Sequence, residues 1–165
     1  MELTIKLTFD EETMDVRLVD VKTDKIIEKK EVIKDSYSPY ARFFDEGSPY
    51  WVNNAEHNLM FLRCQQDYCN ELLRARGRQE RDENGNTVSF KKPLYLNEVY
   101  ELLGIPKSEI GEVVGWVYNE ENPKGDNFVD FNIYNEHNRD FINGYSNSII
   151  LDFNVDGRIY PEDLL

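Results

Sequence analysis

The chain has few residues of the kinds that mark a catalytic or metal-binding protein. It contains two cysteines and two histidines in 165 residues. No stretch matches a phosphate-binding loop, a dinucleotide fingerprint, a zinc-protease helix or a nucleophile elbow. No apolar run approaches the roughly 20 residues that cross a bilayer, and the N-terminus lacks the pattern of a signal peptide. These absences favour a cytoplasmic protein that is not an enzyme and has no cofactor.

The few cysteines and histidines are predicted to be isolated from one another. Cys64 and Cys69 are five residues apart in a segment of helical pattern, which places them about 140° apart around the helix axis. An unstrained disulfide is therefore not expected, and both are predicted to be reduced, part-buried residues. His57 and His137 are predicted to be single surface histidines, because neither has neighbours at metal-ligand spacing.

The chain does have enough apolar material for one folded domain. Its hydrophobic fraction is 40% and its aromatic fraction is 13%, more than a disordered chain of this charge would carry. We predict a single α+β domain over residues 1–165. It would comprise an N-terminal antiparallel β-meander, a central helix, and C-terminal helices packed on an antiparallel sheet.

The N-terminal third, residues 1–53, reads as a meander followed by an aromatic loop. Alternating apolar residues predict strands over 3–9 and 14–18, and a third over 26–33 whose charged centre suits a sheet edge. Residues 35–53 contain two Ser-Pro pairs and six aromatic residues, which predicts a loop. Its aromatic side chains either pack over the core or form a binding surface.

Residues 54–77 carry the strongest helical pattern in the chain. Apolar residues recur at helical spacing, an asparagine pair at the start can cap the helix, and Gly77 suits the left-handed residue that often follows one. Residues 78–93 are polar and contain an Asn-Gly dipeptide. They predict a flexible insertion or a small hairpin that turns at that dipeptide.

Residues 94–118 predict a helix, a stop and a second short helix before a strand. Asn97 is a candidate cap of the first helix, and Ser108 is a candidate cap of the second. Gly111 and Gly115 are predicted to share the second helix, where two glycines four apart would allow another element to approach closely.

The rest of the chain is predicted to be mostly sheet. Residues 135–147 read as a helical turn or loop, and Asp156-Gly157 reads as a hairpin turn. Strands are predicted over residues 114–118, 128–133, 149–155 and 158–160.

The net charge of −13 is concentrated in this C-terminal part. Residues 94–165 contain four basic and fourteen acidic residues, whereas residues 54–93 contain seven basic and six acidic ones. The acidic part would repel phosphates, so direct binding to nucleic acid is not expected.

Several segments together resemble a known group of sequences. They are LNEVYELLGIP, VVGWVYNEENPKGDNFVDFNIY, RDFINGY, IILDFNVDG and the helix NLMFLRCQQDYCNELLRARG. They resemble a family of small uncharacterised proteins encoded by phages and mobile elements of Gram-positive gut bacteria. The resemblance covers residues 54–77 and 94–157. It implies a genomic setting and carries over no catalytic residues.

The first functional hypothesis combines the charge with this setting. The chain would be an accessory protein that binds a basic surface of a host protein by imitating the charge of nucleic acid. A defence nuclease would be a natural target, as it is for inhibitors of CRISPR effectors. The predicted acidic surface consists of Glu98, Glu101, Glu109, Glu112, Glu120, Glu121, Asp126, Asp130, Glu136 and Asp140.

The second hypothesis is a calcium- or small-ligand-binding loop near the end of the sequence. Asp152, Asn154, Asp156 and Asp163 occupy the first, third, fifth and twelfth positions of a calcium-loop pattern. The preceding residues read as a strand rather than a helix, and a hairpin turn explains the same letters. An enzyme of unrecognised type is the third hypothesis.

Overall fold

The computed structural model describes residues 5–10, 15–20, 37–78, 80–86 and 90–165. Helices and antiparallel strands are both present among these residues, which confirms the predicted α+β class. The third strand of the predicted meander, residues 26–33, lies outside the described residues. The first two strands of that meander, β1 (Ile5–Asp10) and β2 (Asp15–Asp20), form an antiparallel pair.

Helix α1 (Ala55–Arg76) begins where the sequence predicts, because Asn54 Oδ1 accepts a hydrogen bond from the His57 N–H at 3.0 Å. The helix ends at Gly77 as predicted, but the backbone conformation of that residue differs from the prediction. Gly77 has a φ of −77°, in the right-handed region, so the prediction of a left-handed conformation for this residue is wrong. A Cβ on Gly77 would lie 2.6 Å from the Cβ of Tyr118. The glycine thus allows close approach between two segments of the chain.

One stripe of α1 packs against the C-terminal part of the chain to form the core. Phe44, from the aromatic loop, is also fully buried, and the hydroxyl of Tyr100 donates to the Tyr40 carbonyl at 2.6 Å. The segment predicted as a loop therefore contributes to the core, although Tyr50 is half exposed. It also contains a strand that was not predicted, because residues 42–44 pair with another strand. The largest fully buried side chains are Trp116, Tyr100, Phe44, Phe131, Phe141, Leu62 and Leu73.

Strand β4 (Leu94–Tyr95) leads directly into helix α2 (Leu96–Leu102). Asn97 is not its N-cap as predicted. The Tyr95 N–H instead donates to Glu98 Oε2 at 2.8 Å, while Asn97 is buried within the helix. The Asn97 side chain instead binds the backbone of Ser108 in a later segment of the chain.

The predicted second helix is a single 3₁₀ turn (Ile110–Glu112). Its predicted cap is present, because Ser108 Oγ accepts from the Gly111 N–H at 3.1 Å. Gly115 does not share this helix, since it lies in strand β5 (Val114–Trp116). In that strand it faces the backbone of Leu94 too closely for a Cβ, so the predicted close approach occurs between strands rather than helices.

The described strands after residue 37 form two small antiparallel sheets. In one, β3 (Arg42–Phe44) pairs with β6 (Ile149–Leu151). In the other, β5 lies between β4 and β7 (Gly157–Arg158). The predicted hairpin at Asp156-Gly157 is therefore wrong, because the strands on either side of it belong to different sheets. Gly157, with a φ of +123°, occurs where the chain passes between them.

The segment predicted as helical turn or loop contains a 3₁₀ turn (Glu136–Asn138) and a short helix α3 (Arg139–Ile142). The strand predicted over 128–133 is absent. Its pattern of buried residues is as expected, but four consecutive N–H groups donate to side chains instead of to a strand. These donors are Val129, Asp130, Phe131 and Asn132, and their acceptors are Asn70, Asn154, Gln66 and Asp130 respectively.

Similar side-chain pairing recurs across the fold. Five asparagine carboxamides each bind both the N–H and the carbonyl of one other residue, at distances from 2.7 to 3.1 Å. We call these contacts asparagine clasps. They join Asn58 to Val52, Asn70 to Val129, Asn97 to Ser108, Asn127 to Asn119, and Asn138 to Ile150.

Candidate interaction surfaces

The ten residues of the predicted acidic surface differ in exposure and in role. Glu98, Asp130 and Asp140 are half-buried. The other seven are exposed, namely Glu101, Glu109, Glu112, Glu120, Glu121, Asp126 and Glu136.

Glu98 belongs to the packing between α1 and α2. Its Oε2 accepts from Arg76 Nη1 at 2.7 Å and from the Tyr95 N–H at 2.8 Å. Burial raises the pKa of Glu98, but these hydrogen bonds and the charge of Arg76 outweigh it and hold the pKa below its usual range. A carboxylate with its acceptors occupied in this way is poorly placed to contact a partner.

Three exposed carboxylates lie on α2 and on the 3₁₀ turn that follows it. Glu101 is near Lys107, with 3.4 Å between Oε2 and Nζ, and an exposed pair at that distance contributes little to stability. Glu109 and Glu112 flank the 3₁₀ turn and are exposed. These two side chains are available to a partner.

Asp126 and Asp130 are linked through Asn154. The Asn154 carboxamide donates to Asp126 Oδ2 at 3.1 Å and accepts from the Asp130 N–H at 2.7 Å. Asp130 Oδ1 also accepts from the Asn132 N–H at 2.8 Å. Asp130 therefore helps to shape the backbone, whereas Asp126 remains exposed.

The last two members lie near α3. Glu136 starts the 3₁₀ turn and is exposed, and Asp140 is the second residue of α3 and is half-buried. The predicted acidic residues thus occupy several separate elements of the C-terminal part.

Glu120 and Glu121 lie beside a group of cations that the sequence pattern does not place there. They line an open groove of about 480 Å³ together with Tyr118, Asn119 and Gly77. Glu120 accepts a hydrogen bond from the Tyr118 hydroxyl. The same groove is also lined by Arg74, Arg78, Arg81 and Lys91. We call this the basic groove.

The four residues of the calcium-loop pattern have separate partners. Asp152 Oδ1 accepts from Ser38 Oγ at 2.6 Å, and Asp163 Oδ2 accepts from Lys124 Nζ at 2.8 Å. Asn154 is bound to Asp126 and Asp130, as described above. Within the described residues, no group of three or more His, Cys, Asp or Glu side chains is arranged to hold a metal ion.

Asp156, the remaining residue of the calcium-loop pattern, has a buried oxygen. Its Oδ2 accepts from the Val117 N–H at 2.9 Å, while Oδ1 has no hydrogen-bond partner among the described residues. Burial, with the nearby Asp126 charge, raises the pKa of Asp156 despite the Val117 hydrogen bond and the Lys124 charge. This hydrogen bond holds the residue just before β7 against Val117, the residue just after β5.

The cysteines are free as predicted, but the burial of both cysteines and of His137 differs from the prediction. Both cysteines are free; Cys69 is buried and its pKa is raised by burial to about 12, whereas Cys64 is exposed rather than part-buried. His57 is exposed. His137 is half-buried and its ring packs edge-on against Tyr37, with centroids 5.2 Å apart.

Two features were missed in the sequence, the asparagine clasps and the basic groove. The signal for the first is composition, since the chain has sixteen asparagines and all of them come after residue 52. The signal for the second is the run of basic residues after position 73, which the structure brings against residues 118–121.

Among the described residues, no helix is both long enough and apolar enough to cross a membrane.

The comparisons with known proteins give a family and no closer relative. No curated protein and no solved structure matches the sequence. A family model matches residues 5–162, nearly the whole chain. The chain therefore belongs to DUF6353, a family of unknown function.

Proposed function

We propose that this chain is a non-enzymatic binding protein whose acidic C-terminal part docks on a basic surface of another protein. The observation that carries the proposal is the excess of carboxylates there. Residues 94–165 have fourteen acidic and four basic side chains. Two of those four, Lys107 and Lys124, are already next to carboxylates.

A surface of this kind favours rapid, salt-dependent association. Complementary charges steer diffusional encounter and raise the association rate most at low ionic strength. Glu109 and Glu112 are the best candidates for direct contact, because both are exposed. Glu98 and Asp130 are weaker candidates, since their oxygens are bound within the fold.

The target that we propose is a nucleic-acid-handling protein of the host. The resemblance to proteins of phages and mobile elements motivates this choice, because such elements gain from inhibiting host nucleases. An acidic surface that occupied the basic channel of a nuclease would exclude its substrate. The proposed complex and a complex with DNA would then be mutually exclusive.

The test is capture of host proteins on the immobilised chain at about 0.05 M and about 0.5 M salt, where screening lengths differ roughly threefold. We expect capture at low salt of a basic nucleic-acid-binding protein, its loss at high salt, and its release by added double-stranded DNA. Capture that is indifferent to salt, or unaffected by DNA, would contradict the proposal.

The control distinguishes a docking surface from net charge. The variant Glu109→Gln/Glu112→Gln should capture less partner than the natural chain. The matched variant Glu56→Gln/Glu71→Gln removes the same charge from exposed positions on α1 and should capture nearly as much. Equal losses in both variants would leave only a non-specific effect of charge.

A further inference from the structure

The basic groove is unusual in a chain of net charge −13. Four cations line it, and within the described residues none of them pairs with a carboxylate; the four are Arg74, Arg78, Arg81 and Lys91. Like charges held near one another repel unless an anion lies between them. Four cations and two carboxylates, Glu120 and Glu121, line the groove, so its lining has a net positive charge in an otherwise acidic protein.

The walls of the groove are anchored to the fold. The Lys91 N–H donates to the Leu164 carbonyl and the Lys92 N–H donates to the Arg76 carbonyl, both at 3.0 Å. Arg76 Nη1 in turn donates to the Pro93 carbonyl at 3.1 Å. The backbone that carries Lys91 is thus held between the end of α1 and the last turn of the chain.

A second open groove, of about 620 Å³, continues the first and shares Arg81, Lys91, Asn119 and Glu121 with it. Its lining adds two apolar side chains, Phe90 and Leu165, which are 67% and 68% exposed. The two grooves together are lined by four cations and by these two apolar side chains, with Arg81 and Lys91 common to both grooves. Such a surface matches an extended segment with acidic and apolar residues close together.

We propose that the basic groove and its apolar extension bind an acidic, extended peptide segment of a partner protein. The carboxylate of the segment would lie among Arg74, Arg78, Arg81 and Lys91, and an apolar side chain would contact Phe90. Glu120 and Glu121 of the predicted acidic surface also line this groove, but the proposed peptide contacts are the four cations and Phe90, whereas the proposed function rests on Glu109 and Glu112.

A nucleic acid fits this groove less well than a peptide does. Glu120, Glu121 and Glu162 also line the two grooves and would face successive phosphates of a polynucleotide. The net charge of the chain would add long-range repulsion. A peptide with one or two carboxylates can place them at the cations and keep uncharged backbone beside the glutamates.

The test begins with selection of peptides on the folded full chain. The probe is a displayed library of random peptides that lacks Lys and Arg, so that the acidic surface cannot dominate the selection. We expect recovered sequences in which Asp or Glu lies near an apolar residue. A fluorescein-labelled synthetic copy of the most enriched sequence is then measured by fluorescence anisotropy at physiological salt.

Two double variants locate the binding site. The variant Arg81→Gln/Lys91→Gln should lower the affinity for the peptide roughly tenfold or more, because charge-assisted contacts are lost. Arg63→Gln/Lys107→Gln removes the same charge at exposed positions outside the groove and should change the affinity less than about twofold. Circular dichroism of both variants confirms that they remain folded.

The proposal is overturned if no acidic sequence is enriched, if both double variants weaken the peptide equally, or if single-stranded DNA of equal length binds more tightly than the peptide. These results do not depend on capture of a basic partner, so this proposal and the proposed function can fail independently.

Discussion

A carboxamide side chain carries the same donor and acceptor as a peptide group. An asparagine can therefore pair with a backbone segment much as a neighbouring strand would. Asn138, which is buried, shows this most fully. It accepts from the Ile150 N–H at 2.9 Å and donates to the Ile150 and Ile133 carbonyls at 2.8 and 3.1 Å. One side chain thereby joins the turn before α3 to strand β6.

Replacing this residue tests the energetic weight of a clasp. Asn138→Ala leaves the Ile150 N–H and carbonyl without this partner in a buried place, and each unsatisfied group costs about 1–3 kcal/mol. We expect the free energy of unfolding, measured with urea, to fall by about 3 kcal/mol. Asn143→Ala, at an exposed position, should change it by less than about 0.5 kcal/mol. Equal effects would contradict a special role for the clasp.

Residue-scale prediction from the sequence worked where the partner is local. The caps at Asn54 and Ser108 lie within three residues of the N–H groups they bind, so short patterns reveal them. The clasp of Asn70 on Val129 spans 59 positions. A pattern of neighbours carries no trace of such a contact, because the partner is a backbone group with no sequence preference.

At the scale of elements, the end of α1 is closely apposed to the segment after β5. The space between Gly77 and Tyr118 has no room for a methyl group. This apposition brings the cations after position 73 beside Glu120 and Glu121, and so creates the basic groove.

The variant Gly77→Ala separates backbone propensity from packing. The φ of Gly77 is helical, so propensity alone predicts that alanine stabilises the fold by about 0.5–1 kcal/mol. The clash with Tyr118 predicts destabilisation by about 1–3 kcal/mol, and we expect this sign in thermal and urea unfolding. At Gly47 the nearest atom to an added Cβ is a side-chain oxygen of Asp45, so Gly47→Ala is the matched control. A more stable Gly77→Ala protein would refute the apposition.

The segment over 128–133 shows why one predicted strand failed. Val129, Phe131 and Ile133 are buried, as an alternating pattern requires. That pattern reports which side chains face the core, and it says nothing about what binds the backbone. Here three side-chain amides and one carboxylate bind the N–H groups, while the Phe131 and Asp130 carbonyls accept from the Asp152 and Asn154 N–H groups. The segment therefore has the burial of a strand without a regular strand ladder.

At the scale of the whole molecule, the charge itself affects stability. A net charge of −13 disfavours the compact state through self-repulsion, which salt screens. We expect the unfolding midpoint to rise by roughly 3 °C between about 0.02 and 0.5 M sodium chloride, which corresponds to about 1 kcal/mol at this size.

Two comparisons identify the cause of that rise. Choline chloride should act like sodium chloride, because screening does not depend on the cation. The variant Glu109→Gln/Glu112→Gln should show a smaller increase of the unfolding midpoint with salt. A midpoint that responds to millimolar calcium and not to either salt would contradict screening and would support the calcium-loop hypothesis for residues 152–163.

The charge balance of the candidate surfaces could be predicted from the sequence, but their arrangement could not. Counting residues was enough to locate the acidic excess after residue 94. The basic groove depends on contact between segments more than thirty positions apart, such as Arg74 and Tyr118. Only the fold decides whether those charges are neighbours.

The side chains that bind the backbone of residues 129–132 also bear on how this molecule meets other copies of itself. A strand edge presents a row of unpaired donors and acceptors to which another chain can add, and this invites aggregation. Along residues 129–132 every N–H group is already occupied by a side chain of the same molecule. A carboxamide satisfies its backbone partner and offers no further ladder. The segment thus has an extended core-facing sequence without acting as a template for intermolecular β-pairing.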